Sequence, residues 1–176
     1  MSIFNGLIKM RKFLINGLLV GMCFFALTGL AMADAFADAT RVYDTGDYAQ
    51  AVKLYRPLAE NGNADAQYVL GMMYRAGRGV ERDNNEAKKW YQLASEQGHP
   101  LAQFYLGWMH ASGKGVPKDN VKGYMWISIA IANASGEARK EFIVDRDALA
   151  KSMTAEQVDQ AQKLAKKCTA KKFKGC

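Results

Sequence analysis

Asn63–Gly98, NADAQYVLGMMYRAGRGVERDNNEAKKWYQLASEQG, runs straight into His99–Ala134, HPLAQFYLGWMHASGKGVPKDNVKGYMWISIAIANA, and the two align without a gap at a period of 36 residues. Twelve positions are identical, among them Ala66/Ala102, Gln67/Gln103, Leu70/Leu106, Gly71/Gly107, Gly77/Gly113, Gly79/Gly115, Asp83/Asp119 and Trp90/Trp126. Matching by composition alone gives far fewer, so the chain contains a true internal repeat. Each unit has the pattern of two helices. Ala66, Leu70, Met73 and Tyr74 recur at helical spacing on one face, and Ala87, Trp90, Tyr91 and Ala94 do so after the turn. Gly77 and Gly79 suit a helix C-cap followed by a turn with positive φ. Asp83 with Glu86 has the spacing of a capping box, and Gly98 stops the second helix. The small residues Ala66, Gly71, Ala87 and Ala94 let the paired helices approach, and Trp90 fills the space between successive pairs.

Working outward, Gly46-Asp47-Tyr48, Ala51, Leu54-Tyr55 and Gly62 keep the same register upstream with a shorter turn, and Asp47 to Gln50 has capping-box spacing. A helix over 35–44 completes that pair. Downstream, 137–151 places Ala138, Phe142, Ile143 and Leu149 on one face, and Thr154 to Gln157 opens a last helix carrying Val158, Ala161 and Leu164. This polar-backed pair is expected to cap the last apolar face of the array. The organisation expected is 34–62 as an N-terminal helix pair, 63–98 and 99–134 as repeats, 135–168 as capping helices and 169–176 as a basic tail.

The first 33 residues stand apart. Lys9, Arg11 and Lys12 precede an uncharged apolar run from Phe13 to Leu30 that ends at Ala31-Met32-Ala33, the small-residue pattern of a cleavage site. An export signal cut after Ala33 is expected, placing the mature chain in the periplasm or outside the cell. An uncleaved membrane anchor is the alternative, since the run is at the lower limit for spanning a bilayer. Two starts fit the pattern, Met1 and Met10. Removing the three cations of this segment from the net +7 leaves +4. Six lysines (Lys163, Lys166, Lys167, Lys171, Lys172 and Lys174) crowd the last fourteen residues, so the body before them is net −2. The basicity belongs to the tail. That excludes nucleic-acid binding by the domain as a whole and leaves weak contact between the tail and an anionic envelope surface as a reading. Outside the signal only Cys168 and Cys176 remain, an even pair that an oxidising compartment invites to form a disulfide.

The ordered set Ala66-Gln67, Leu70-Gly71, Met73-Tyr74, Gly77-Arg78-Gly79-Val80, Asp83, Ala87, Trp90-Tyr91, Ala94 and Gln97-Gly98 resembles a Sel1-like repeat, a relative of the tetratricopeptide repeat. The resemblance covers about 47–168. It implies an all-α fold: a short right-handed superhelical solenoid of antiparallel helix pairs with a C-terminal helical cap. It also implies a role as a protein-protein interaction adaptor, here in the cell envelope, without enzymatic activity. The second unit departs from the pattern with His110 for the tyrosine, Gly123 for the alanine and Ile127 for the second aromatic, which predicts a looser second helix there.

The chemistry-bearing residues support no reaction centre. No serine has a lysine three places on, and none sits in a Gly-x-Ser-x-Gly elbow. Some cysteine-rich relatives are linked with β-lactam binding or hydrolysis. Those carry a cysteine pair in each repeat, whereas this chain has none between Asp34 and Lys167. A hydrolase acting on β-lactams or peptidoglycan therefore rests on family analogy alone. His99 and His110 are the only histidines and have no cysteine nearby, so neither metal nor cofactor is expected. His110 is expected to be partly buried in place of a structural tyrosine, and His99, beside Pro100, to be exposed. Gly77-Arg78-Gly79 and Gly113-Lys114-Gly115 lack the spacing of a phosphate loop and recur with the repeat, so they are turns, with a basic edge lined by Arg78 and Lys114 as the alternative to a solvated turn.

Helix-pair solenoids present their first helices along a concave surface. Register places Phe36 and Tyr43, then Tyr68, Met72 and Arg75, then Phe104, Trp108 and Ser112 near it. Aromatics, Met and Arg are the residue types that anchor protein interfaces. Tyr68 and Phe104 are often aromatic in the family and are better accounted for by packing between helices. Met72, Arg75 and Trp108 occupy variable places and are the stronger candidates for touching a protein or peptide partner.

Overall fold

The computed structural model describes residues 34–176; the expected export signal lies outside the described residues. Eight helices and no strand occur among the described residues: α1 (34–44), α2 (Tyr48–Glu60), α3 (Ala64–Ala76), α4 (Asn84–Ser95), α5 (Pro100–Ser112), α6 (Asn120–Asn133), α7 (Gly136–Ala150) and α8 (Ala155–Ala170). Successive helices pack on their neighbours from α2 to α6, giving a solenoid of helix pairs. None of the described helices is long and apolar enough to cross a membrane.

The apolar stripes make a series of small cores rather than one. Ala51, Val52, Tyr55 and Leu58 of α2 meet Leu70 and Met73 of α3, and Trp90 of α4 reaches back into the same cluster. Ala87, Tyr91 and Ala94 of α4 meet Ala102 and Met109 of α5 in the next. At each repeat a glutamine on the buried face ties the stack together. Gln67 Nε2 donates to the Ala59 carbonyl at 3.0 Å and Gln103 Nε2 to the Ser95 carbonyl at 3.1 Å. Their amide oxygens accept from Gln97 Nε2 at 2.8 Å and Asn133 Nδ2 at 2.9 Å. All four bonds repeat in register, so each glutamine joins the end of one pair to both helices of the next.

The long turns are fixed at both ends. Gly77 and Gly113 are left-handed C-caps donating to the Met73 and Met109 carbonyls. Asp83 and Asp119 cap the following helices, and their own backbone N–H groups donate to Tyr74 and His110 carbonyls. That last bond corrects the capping box expected at Asp83: the N–H that Glu86 would have reached is already taken. Asp47 likewise caps Gln50 N–H from one side, whereas Thr154 and Gln157 form the reciprocal box expected of them.

The expectation that the second repeat is loosened by Gly123 and Ile127 is overturned. A Cβ at Gly107 would lie 2.9 Å from the Gly123 carbonyl oxygen and 2.8 Å from Ile127 Cγ1, so two glycines facing each other bring α5 and α6 into the most extensive helix-helix contact among the described residues. α6 is correspondingly buried nearly all round, through Tyr124, Met125, Trp126, Ile127, Ile129, Ala130 and Ile131. The capping helices explain why. They do not pack as a hairpin but straddle α6. Phe142 of α7 seals Ile127, Ala130 and Ile131, while Ala161 of α8 is fully buried and Cys168 seals Met125, Trp126 and Ile129.

α8 continues to Ala170, past Cys168 where the cap was expected to end, and the tail then turns back. Cys168 and Cys176 are joined by a disulfide with Cα atoms 5.7 Å apart. The short loop seats Phe173 against Gly98 and the α6–α8 core while its three lysines stay exposed. In chain-entropy terms so small a loop stabilises by about 2–3 kcal/mol. We expect urea unfolding of Cys176→Ser, or of the reduced chain, to show a loss of that size. An unchanged midpoint would mean that Phe173 holds the tail without the bond.

Candidate functional site

α3 presents Tyr68, Met72 and Arg75 along one stripe, and α5 runs alongside with Phe104, Tyr105 and Trp108. The two stripes meet in a ladder of rings. Tyr105 stacks on Tyr91 with centroids 5.5 Å apart and on Tyr68 at 6.0 Å, and Tyr68 stacks in turn on His99 at 4.8 Å. Such pairs are worth about 0.5–1.5 kcal/mol each beyond the area they bury. Burial pushes the Tyr68 and Tyr91 hydroxyls well above the ordinary tyrosine range, with the Arg75 charge opposing the rise at both.

Cations close the upper end of the ladder. The Arg75 guanidinium lies 4.9 Å from the Tyr105 ring centre and 5.8 Å from that of Trp108, and Lys114 Nζ lies 4.6 Å from the same indole. The Arg75 side chain faces the fully buried Tyr91 hydroxyl and favours its ionised form, although neither Arg75 Nε nor that hydroxyl makes a hydrogen bond of full geometry. Neither Arg75 nor Lys114 forms an ion pair among the described residues. Trp90 and Trp126 are buried to 4% and 1% exposure, which leaves Trp108 as the tryptophan of this region open to solvent.

Tyr68, Met72, Arg75 and Trp108 are thus gathered into one partly buried row. Phe104 is not part of it: its ring stacks on Phe142 at 4.2 Å, so α7 covers it. Tyr43 lies apart, edge-on to Tyr48 at 5.0 Å and accepting a hydrogen bond from Arg78, while Ser112 is exposed at the end of α5. Tyr105 and Lys114 belong to the row and were missed as partners of Arg75. The aromatic next to Phe104, where the preceding repeat has Val69, was the available signal.

His99 corrects the expectation of exposure. Its Nδ1 accepts from the Ala102 N–H at 3.1 Å as the N-cap of α5, its Nε2 lies 3.2 Å from Asp65, and its side chain is 11% exposed. With Nδ1 accepting, the Nε2 proton points at the carboxylate. Burial pushes the imidazole below the ordinary histidine range, with Asp65 opposing. His110 is half-buried in the place of the repeat tyrosine and its Nδ1 has no partner. Among the described residues no group of three or more His, Cys, Asp or Glu is placed to hold a metal ion.

The Sel1 repeat family model matches at 41–63, 64–99 and 100–135, more than half of the chain. The chain belongs to the Sel1 repeat family. The glutamine ladder, the paired turn glycines and the tryptophans therefore build Sel1 repeats, which generally mediate protein-protein interaction and are typically non-catalytic scaffolds. Among solved structures, c5321, a protective antigen present in uropathogenic Escherichia coli strains and displaying an SLR fold, is similar with a TM-score of 0.73 and 27% identity over 81% of this chain. This chain spans 31% of that antigen. A Sel1 repeat protein from Oxalobacter formigenes is 34% identical with a TM-score of 0.56, covering 63% of this chain and 86% of the other. No curated protein matches.

Proposed function

We propose that this Sel1 repeat protein is an exported adaptor of the cell envelope that holds a protein or peptide segment along the row of Tyr68, Met72, Arg75 and Trp108. The observation that carries the reading is the partly buried aromatic row with unpaired cations at its end. It offers apolar area, rigid rings and charge on the first helices, the composition of an interface anchor. Export is supported by the basic, then apolar, then small-residue pattern of the first 33 residues.

The reading is tested with a photoreactive residue at Met72 in intact cells, followed by fractionation and mass spectrometry of crosslinked species. A discrete partner should appear in the envelope fraction and be lost with Trp108→Ala. The same pattern of crosslinks with and without Trp108, or crosslinks confined to the cytoplasm, would remove the docking row or the export, respectively.

A further inference from the structure

Three features of the row bear on what it can bind. Arg75 and Lys114 converge on one indole, at 5.8 and 4.6 Å from its centre, although like charges repel. No carboxylate pairs with either among the described residues. Arg75 Nε is buried and makes no full hydrogen bond, its side chain facing only the neutral Tyr91 hydroxyl. Some cations elsewhere are paired, Arg41 with Asp38 at 2.7 Å, Lys140 with Glu137 at 2.9 Å and Lys163 with Asp159 at 2.6 Å, and what distinguishes Arg75 and Lys114 is that both unpaired charges lie over one ring. The Trp108 surface thus carries two unpaired cations on a body whose net charge is negative.

Taking the docking row of the preceding subsection as given, we infer that its occupant is an acidic segment of a protein, placing a carboxylate between Arg75 and Lys114 and an apolar or aromatic side chain against Trp108. A carboxylate beside the indole is attracted by both cations and offsets their like charge. Arg75 is already held in place by the Tyr105 and Trp108 faces, so little of its freedom remains to be lost on binding. The neighbouring rings Tyr68 and Tyr105 supply a rigid apolar wall for the next residues of an extended segment. A carboxylate on a peptide also fits the row's geometry better than a membrane does, because the cations sit beside half-buried rings on the first helices rather than on the basic tail.

Because Trp90 and Trp126 are buried, a ligand-dependent change in tryptophan emission reports contact at Trp108. The probes are a short Glu/Asp-rich peptide with one central Leu, the same peptide with Gln/Asn for each acid, the same with Lys, and phosphatidylglycerol vesicles, each at low and high salt. The expected result is saturable change with the acidic peptide only, weakened by salt and at least ~10-fold weaker in Arg75→Gln/Lys114→Gln. Lys89→Gln, whose charge lies over Trp90, should leave it unchanged. Thermal melting of each variant checks that the fold is kept. If the double variant does not fold, Lys114→Gln alone, at an exposed turn, carries the comparison. No saturable change with the acidic peptide, equal binding of the neutral peptide, or stronger binding of vesicles overturns the inference. Crosslinking that still depends on Trp108 would then leave the docking row in place without its charge preference, whereas loss of both results removes the row itself.

Discussion

Gly79→Ala is expected to destabilise the fold by about 3 kcal/mol or more, from left-handed backbone and a backbone collision together. Gly79 has φ +70°, and a Cβ there would lie 2.2 Å from the Tyr48 carbonyl oxygen and 2.7 Å from Ala49 N. The α3–α4 turn thus lies against the first turn of α2, and nothing at the contact is a flexible side-chain end. Left-handed backbone costs a non-glycine residue roughly 1–2 kcal/mol, and the rest must come from moving the turn off α2. Gly46→Ala isolates the first cost, since its φ is +87° with nothing within 4 Å of the added Cβ. The repeat carries the same device at Gly115, whose added Cβ would meet the Asn84 carbonyl oxygen at 2.7 Å. Because the collision is between pairs, α1 and α2 should detach before the remainder unfolds. Hydrogen exchange of α2 amides against those of α6, with urea melts of both variants, measures this. Equal losses for Gly46→Ala and Gly79→Ala would show that the turn yields and that the contact is not rigid.

The repeat register made the helices, turns and caps legible, because each rests on local chemistry: apolar spacing, turn glycines, an acidic N-cap. What escaped depended on partners distant in the chain. His99 looks solvent-facing beside Pro100 in the sequence, yet Asp65 and Tyr68 of the preceding repeat enclose it. Gly123 looks like a weakened helix until Gly107 is set opposite it. The capping helices have the right apolar faces, but only the three-dimensional structure shows them separating to either side of α6. The candidate row was visible as Met72, Arg75 and Trp108 through their variable register. Tyr105 was not, and Lys114 was legible only as a basic turn residue, since their contacts with Arg75 and Trp108 are made by packing across helices. Gln67 and Gln103 carry a signal in the sequence itself. A polar residue kept at the repeat period on an otherwise apolar face implies a buried hydrogen-bond role.

Gln103→Glu is the sharpest test of that role. Gln103 has no exposure, its Nε2 donates to the Ser95 carbonyl at 3.1 Å, and its Oε1 accepts from Asn133 Nδ2 at 2.9 Å. A carboxylate keeps the second bond and turns the first into two acceptors facing each other, with a charge placed in the core. The expected loss at neutral pH is about 3 kcal/mol or more, from desolvation and the missing donor together. The sign with pH follows from the protonated form, which regains an O–H donor for the Ser95 carbonyl. The folded state therefore raises the pKa of the introduced carboxyl above its unfolded value of about 4.3. The penalty is small below that value, grows as pH rises through the interval up to the folded pKa, and is constant above it. Gln103→Leu removes both bonds without adding charge. The Ser95 carbonyl still accepts from the Gly98 N–H at 3.0 Å and Asn133 is exposed, so its loss should be only about 1–2 kcal/mol. It should also be independent of pH. Urea unfolding of both variants and the parent across acid to neutral pH decides the matter. A Gln103→Glu deficit that stays flat over that range would show the side chain reaching water, and the ladder would then be a surface feature rather than the joint between repeats.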